Sequence, residues 1–388
     1  MNHEGGRSCG PQTVAATFGV ATDRAFGAVS PPIYLSSTYT FEGYNEPRSY
    51  EYGRSGNPTR EMLAEALSKL EGGAGAVITS SGMAAIDLLL GRLRPNDAVI
   101  APHDCYGGTH RLLKARSALG QFSVSFIDQA DDMALCEAFA GGPSLIFIET
   151  PSNPLMRVVD IVKIALMAKA AGICVAVDNT FLSPAVQRPI ALGADYVLHS
   201  TTKFLNGHSD VIGGAVVAAN IEKARELRNW ATTVGACGSP FDAWLTMRGL
   251  RTLYARMERQ QKTAALLAEW LQDHPAVKIV HYPGLASHPD HKLASKQQTG
   301  FGAMLSFELA GGSDAARIFV ESLRVFTLAE SLGGVESLVA HPATMTHADM
   351  GERARGIAGI NDGLIRISVG LENEQDLLTD LAASLKAC

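Results

Sequence analysis

Nowhere in the 388 residues does an apolar run approach the ~18 needed to cross a bilayer, and residues 1–7 are polar where a signal peptide would be hydrophobic. The expectation is a cytoplasmic protein with no membrane partner. Charge is scarce as well: Asp, Glu, Lys and Arg make up 19% of the chain, against roughly 25% in typical soluble domains. The net charge of −6 has no basic cluster, so no electrostatic footprint for nucleic acid is present. The six cysteines, Cys9, Cys105, Cys136, Cys174, Cys237 and Cys388, contain no Cys-x-x-Cys pair and read as free thiols, without a structural disulfide or zinc site. His341 and His347 lack metal-ligand spacing. No Gly-x-Gly-x-x-Gly follows an apolar run, which excludes a dinucleotide dehydrogenase. Lys-Thr-Gly and Ser-Asp-Asn are also missing, so Ser200-x-x-Lys203 is not the nucleophile pattern of a penicillin-recognising enzyme.

What is present is an alternation of strand-like and helix-like segments. Asn57 reads as an N-cap before Pro58, and Met62, Leu63, Ala66, Leu67 and Leu70 make one apolar stripe that Gly72 and Gly73 stop. Strand-like runs follow near 75–80, 97–101, 122–127, 144–149, 173–178, 195–200 and 213–218, mostly at helix-length intervals, as in a mostly parallel sheet; the spacing also permits a β/α barrel. From about residue 256 the character changes to a long helix over 258–272 and strands near 302–308 and 364–369. Two domains suit a chain longer than one core can serve. The expected division is an arm over 1–60, a large domain over 61–255 and a smaller α+β domain over 256–388. The 46% hydrophobic content implies extensive buried surface, some of it between subunits.

Three segments suggest chemistry. An apolar run, Ala194-Asp195-Tyr196-Val197-Leu198, delivers Lys203 into a stretch of small and hydroxylic residues. A lysine carried into a pocket finds an anion or loses its proton, and the neutral amine attacks aldehydes. The buried strand over 172–178 ends in Asp178, which is either a turn or cap residue or a partner for a cationic cofactor nitrogen such as that of pyridoxal 5′-phosphate (PLP). Strand, Ser80-Ser81-Gly82-Met83 turn and helix start could cradle a phosphate on free N–H groups, or be a plain connection. Ser200 and Thr202, one residue either side of Thr201, would face the same way on an extended segment and add two hydroxyls.

Further stretches include Tyr52-Gly53-Arg54-Ser55-Gly56-Asn57-Pro58, Pro102-His103-Asp104-Cys105-Tyr106-Gly107-Gly108, Glu149-Thr150-Pro151-Ser152-Asn153-Pro154, Val177-Asp178-Asn179-Thr180 and Thr327-Leu328-Ala329-Glu330-Ser331-Leu332. Through these and the Lys203 run, over about residues 12 to 385, the chain resembles the PLP-dependent enzymes of cysteine and methionine metabolism, the γ-family of fold type I. The resemblance implies an aminotransferase-like α/β fold: a mostly parallel seven-stranded sheet with helices on both faces, plus a smaller α+β C-terminal domain. It also implies PLP as cofactor and a homo-oligomer, a tetramer built from two dimers that share active sites.

By the same resemblance Tyr52 and Arg54 reach the PLP phosphate of a neighbouring subunit. Tyr106 stacks on the ring, Asn153 bonds its 3-oxygen, and Gly82, Met83, Ser200 and Thr202 hold the phosphate. Arg366 takes the substrate α-carboxylate, Arg111 a distal carboxylate, and Glu330 with Ser331 the incoming amino acid. Bland alternatives remain on pattern alone: a surface arginine for Arg54 and Arg111, a salt bridge for Arg366, a core aromatic for Tyr106 and a turn former for Asn153. The implied reaction is γ-replacement, in which cysteine sulfur displaces succinate from O-succinylhomoserine to give cystathionine. Ser55, in the Arg-Ser-Gly form shared with γ-lyases, keeps cystathionine γ-lyase or a dual-activity enzyme as the alternative.

Overall fold

The computed structural model describes residues 9–388; residues 1–8, which include the polar opening stretch, lie outside the described residues. Seven strands form the larger sheet: β1 (Gly75–Thr79), β2 (Ala98–Pro102), β3 (Ser123–Ile127), β4 (Leu145–Glu149), β5 (Cys174–Asp178), β6 (Tyr196–Ser200) and β7 (Gly214–Ala218). Their order is β1-β7-β6-β5-β4-β2-β3, parallel except for β7, which runs antiparallel to both β1 and β6. This is the mostly parallel α/β sheet the sequence implied, and the barrel is excluded.

The strands are apolar in both registers because both faces are covered. Ile146 and Ile148 of β4, with Val175 and Val177 of β5, turn to one core that includes Leu63, Leu67 and Leu70 of the helix Pro58–Glu71. Leu145 and Phe147, with Ala176, turn to the other, against the helix Gly82–Leu90. The Pro58–Glu71 helix starts as its sequence implies: Asn57 Oδ1 accepts N–H bonds from Thr59 and Arg60. It ends at Gly72, whose φ of 78° suits a residue without Cβ. Its three fully buried leucines each contribute about 2 kcal/mol of hydrophobic burial.

The smaller sheet contains β8 (Val277–His281), β9 (Met304–Leu309), β10 (Thr327–Leu328), β11 (Leu338–Ala340) and β12 (Leu364–Ser368), in the order β10-β11-β12-β9-β8. The sequence showed only β9 and β12. Its core gathers Phe307, Phe319, Ile365 and Ile367. The long helix begins at Leu253 rather than 258 and runs to Gln272. Leu253 and Met257 pack in the first core while Leu267 and Leu271 pack in the second, so one rigid element ties the two sheets. Within the segment expected to be an extended arm, Pro11–Thr17 is helical and packs on the Pro58–Glu71 helix. Glu149, Asp178 and Ser200 close β4, β5 and β6, so the C-terminal edge of the parallel strands collects the polar groups.

Candidate active site

That edge floors a cavity of about 780 Å³, walled by Gly82, Met83, Tyr106, Glu149, Asn153, Asp178, Ser200, Thr202, Lys203, Glu330, Ser331 and Arg366 among others. Asp178 stands opposite Glu149 in the β4–β5 register, so the two carboxyls lie on the same side of the sheet. Burial raises the pKa of both, and Asp178 raises Glu149 further. Two desolvated carboxyls side by side hold a proton between them or await a cation. Asp178 Oδ1 also accepts the Thr180 N–H at 2.9 Å, as the turn reading of this residue requires.

Strand β6 stops at Ser200, and residues 201–206 form a turn rather than an extension. Ser200 and Thr202 thus reach the cavity wall through the bend, not through strand alternation as the sequence suggested. The Thr202 hydroxyl accepts from the Gly213 N–H at 3.1 Å and lies 3.3 Å from the Gly213 carbonyl. The Ser200 N–H donates to Thr180 Oγ1 at 2.9 Å, which leaves the Ser200 hydroxyl for the cavity. Facing it is the start of the helix Gly82–Leu90, where Ser81 Oγ accepts the Ala84 N–H. A Cβ on Gly82 would stand 2.8 Å from Ser200 Cβ, so only glycine leaves room between this helix end and β6.

Lys203 follows in the turn, and its Nζ donates to Ser331 Oγ at 2.7 Å. Burial, reinforced by the Arg366 charge, lowers its pKa to about 8, with Glu330 opposing. Ser331 holds a left-handed φ of 98°, uncommon for a residue with a side chain. In that conformation its carbonyl accepts from Arg366 Nη2 at 3.0 Å while its hydroxyl meets Lys203. Arg366, on β12, is 2% exposed, and its other contact is Asn153 Oδ1 at 2.9 Å. Both partners are neutral oxygens; no carboxylate contacts it among the described residues, and burial drops its pKa to about 10. The salt-bridge reading is thereby removed.

Tyr106 precedes the helix Gly107–Ala118 and is half-exposed to the cavity rather than packed in a core. Burial and Glu330 raise its phenol pKa; the nearby charges of Arg111 and Arg366 pull it down. Arg111 lies on the exposed side of that helix, outside the cavity wall. Tyr52 and Arg54 are not brought to the cavity within the subunit. Arg54 stacks over the Tyr52 ring at 5.7 Å and donates to the Thr232 carbonyl.

A family model described as Cys/Met metabolism PLP-dependent enzyme matches residues 12–386. The chain belongs to that family. Among curated members of the Cys/Met metabolism PLP-dependent family it is 52% identical over 376 residues to cystathionine gamma-synthase of Escherichia coli (strain K12), covering 97% of each chain. To cystathionine beta-lyase of Lactococcus lactis subsp. cremoris it is 48% identical over 368 residues, covering 95% of this chain and 97% of that one. The crystal structure of cystathionine gamma synthase from Xanthomonas oryzae pv. oryzae, in complex with aminoacrylate and cysteine, matches with a TM-score of 0.97 at 55% identity, covering 98% of this chain and 99% of that one.

PLP is the cofactor of this family, and the residues present fit it. A lysine with a depressed pKa, a paired buried carboxylate without a cation and a helix start that only glycine leaves open are the three groups its aldehyde, ring nitrogen and phosphate require. Two buried groups escaped the sequence reading. Glu149 had only the strand-end position as a signal, and Glu71, whose Oε1 meets His199 Nε2 at 2.6 Å beneath β6, had none, since it ends an apolar helix stripe.

Proposed function

We propose that this chain catalyses γ-replacement, joining L-cysteine to O-succinyl-L-homoserine to give L-cystathionine and succinate, a step of methionine biosynthesis. The observation that carries the reading is Ser331, which holds Lys203 Nζ and the Arg366 guanidinium on its hydroxyl and carbonyl at 2.7 and 3.0 Å. A base and a carboxylate receptor are thereby set side by side. When bound, PLP supplies an electron-withdrawing ring that stores the electrons released at the substrate Cα.

Arg366 binds the α-carboxylate through a fork that has no carboxylate partner of its own, which orients Cα toward Lys203. The Lys203 amine, with a pKa of about 8, is close enough to solution pH to accept a proton at Cα and to move one at Cβ. Asp178 would hold the ring nitrogen in its protonated form, while Asn153, its Oδ1 held by Arg366, has its Nδ2 to donate to the ring oxygen. Gly82, Met83, Ser200 and Thr202 take the phosphate. Tyr106 would face the ring, Glu330 would steer the ammonium of cysteine, and Arg111, outside the cavity wall, would take the succinyl carboxylate.

Tyr52 and Arg54 complete the phosphate site of a neighbouring subunit, which makes the working form an oligomer, a homotetramer of two active-site-sharing dimers. The large exposed aromatics Phe26 and Tyr44 suit an arm, over residues 1–60, that packs on another subunit. We place the large domain at 61–255 and the small one at 256–388. Free thiols at all six cysteines suit a cytoplasmic setting, and among the described residues no helix is long and apolar enough to cross a membrane.

Cleavage of cystathionine is the second reading, favoured by Ser55 in the Arg-Ser-Gly turn and by the lyase name of a 48% identical relative. Incubation with O-succinylhomoserine, with and without cysteine, separates the two. Cystathionine formed in step with succinate supports replacement. Release of 2-oxobutyrate alone, or turnover of added cystathionine only, assigns a lyase.

A further inference from the structure

Five hydrogen bonds run unbroken from Lys203 to Tyr106. Lys203 Nζ donates to Ser331 Oγ at 2.7 Å, Arg366 Nη2 to the Ser331 carbonyl at 3.0 Å, and Arg366 Nη1 to Asn153 Oδ1 at 2.9 Å. The Asn153 N–H then donates to Glu149 Oε1 at 3.3 Å, and the Tyr106 N–H to Glu149 Oε2 at 2.9 Å. Glu149 is where the arginine side of the site and the aromatic side meet. The helix that follows Tyr106 has no side-chain cap of its own, so this carboxyl is the outside acceptor at its N-terminus.

Behind Glu149 lies a second cavity of about 200 Å³, whose wall includes the polar side chains of His103, Asp104, Gln129, Ser152, Arg157 and Asp290. Glu149 is the one residue common to its wall and the wall of the main cavity. Gln129 Oε1 and Ser152 Oγ are buried there without partners, so the rear space is polar enough to hold water. Glu149 therefore forms a partition between two cavities and is not a residue packed on all sides by a core.

We propose that Glu149 is a positioning residue, whose single carboxyl sets the plane of Tyr106 and the Asn153–Arg366 pair to one another across the cofactor site. The proposal rests on the PLP and amino-acid reading above. A carboxyl whose two oxygens each accept one N–H cannot be replaced by an amide, because the NH2 of glutamine would face one of the donors. Either the ring-facing tyrosine or the carboxylate-binding arginine then loses its place.

The test compares wild type with Glu149→Gln and Glu149→Asp as PLP-loaded enzymes. It measures the visible circular dichroism of the cofactor, PLP retention on dilution, the melting temperature, and the Kd for L-2-aminobutyrate, which has no leaving group at Cγ. The expected result is PLP retention within about threefold of wild type, altered dichroism, and amino-acid binding weakened about tenfold or more, the loss of one charge-assisted contact. A lower melting temperature with unchanged dichroism and Kd would overturn the proposal. Failure of both variants to fold would do the same, making Glu149 a requirement of the fold and not of the site's geometry. If wild type binds PLP but no spectral change accompanies L-2-aminobutyrate, the amino-acid reading itself falls and the proposal with it.

Discussion

The titration of Lys203 gives the sharpest quantitative expectation. Its pKa falls from 10.5 to about 8 because the ammonium is buried and stands near the Arg366 guanidinium. At about 1.4 kcal/mol per pKa unit, that drop corresponds to roughly 3 kcal/mol of destabilisation of the charged amine. At pH 7 about a tenth of the lysine is then neutral, compared with about 0.03% of an ordinary one. The assay is stopped-flow capture of PLP by apoenzyme from pH 6.5 to 10, followed by absorbance. The rate should rise with pH and level off near 8, and Arg366→Met should move the inflection upward by removing the nearby positive charge. The sign of the linked stability follows from the folded value lying below the unfolded one. Lys203 costs stability below about pH 8, and the cost disappears as pH rises toward 10.5. A capture rate still climbing at pH 10, with no inflection near 8, would refute the desolvation argument.

Other expectations follow from single contacts. His199→Ala strands the fully buried Glu71 carboxyl, whose remaining donor is Asn179, and should cost about 3 kcal/mol or more in urea unfolding of the apoprotein. Gly214→Ala places a Cβ 2.1 Å from the Ser81 carbonyl oxygen, against backbone that cannot yield. It should destabilise the protein by about 1–3 kcal/mol and weaken PLP binding through the displaced 79–82 turn, read by chemical denaturation and cofactor titration. Arg54→Ala should release PLP on dilution while the far-UV circular dichroism is unchanged; undiminished retention would count against phosphate binding across subunits.

Much of the larger sheet was legible because each strand's apolar run is bounded by turn residues and both faces are buried, as in Leu145-Ile146-Phe147-Ile148 of β4. The Pro58–Glu71 helix was legible from its cap, stripe and terminal glycine. The small sheet was less so. Strand β10 is two residues long and β11 three, too short for any alternation to register, and β8 carries a register shift between Val277 and Ile279 that breaks its period. In the site, Asp178 announced itself by ending an apolar run, Lys203 by following one into small and hydroxylic residues, and Arg366 by lying inside one. Their mutual arrangement did not, because it depends on the left-handed Ser331, which brings the loop after β10 onto the turn after β6. The expectation of an extended Ser200–Thr202 segment failed for a related reason: the strand ends where β7 must fold back beside it, and the Thr202 hydroxyl bonds the Gly213 backbone at the cavity wall.

The role of Lys203 is tested most directly by reduction of the PLP-loaded enzyme with borohydride, followed by peptide mapping. The cofactor's mass should appear on the peptide that contains Lys203, with Lys203→Ala folded but devoid of the visible band and of cystathionine formation. The label on another lysine, or full turnover by Lys203→Ala, would contradict it.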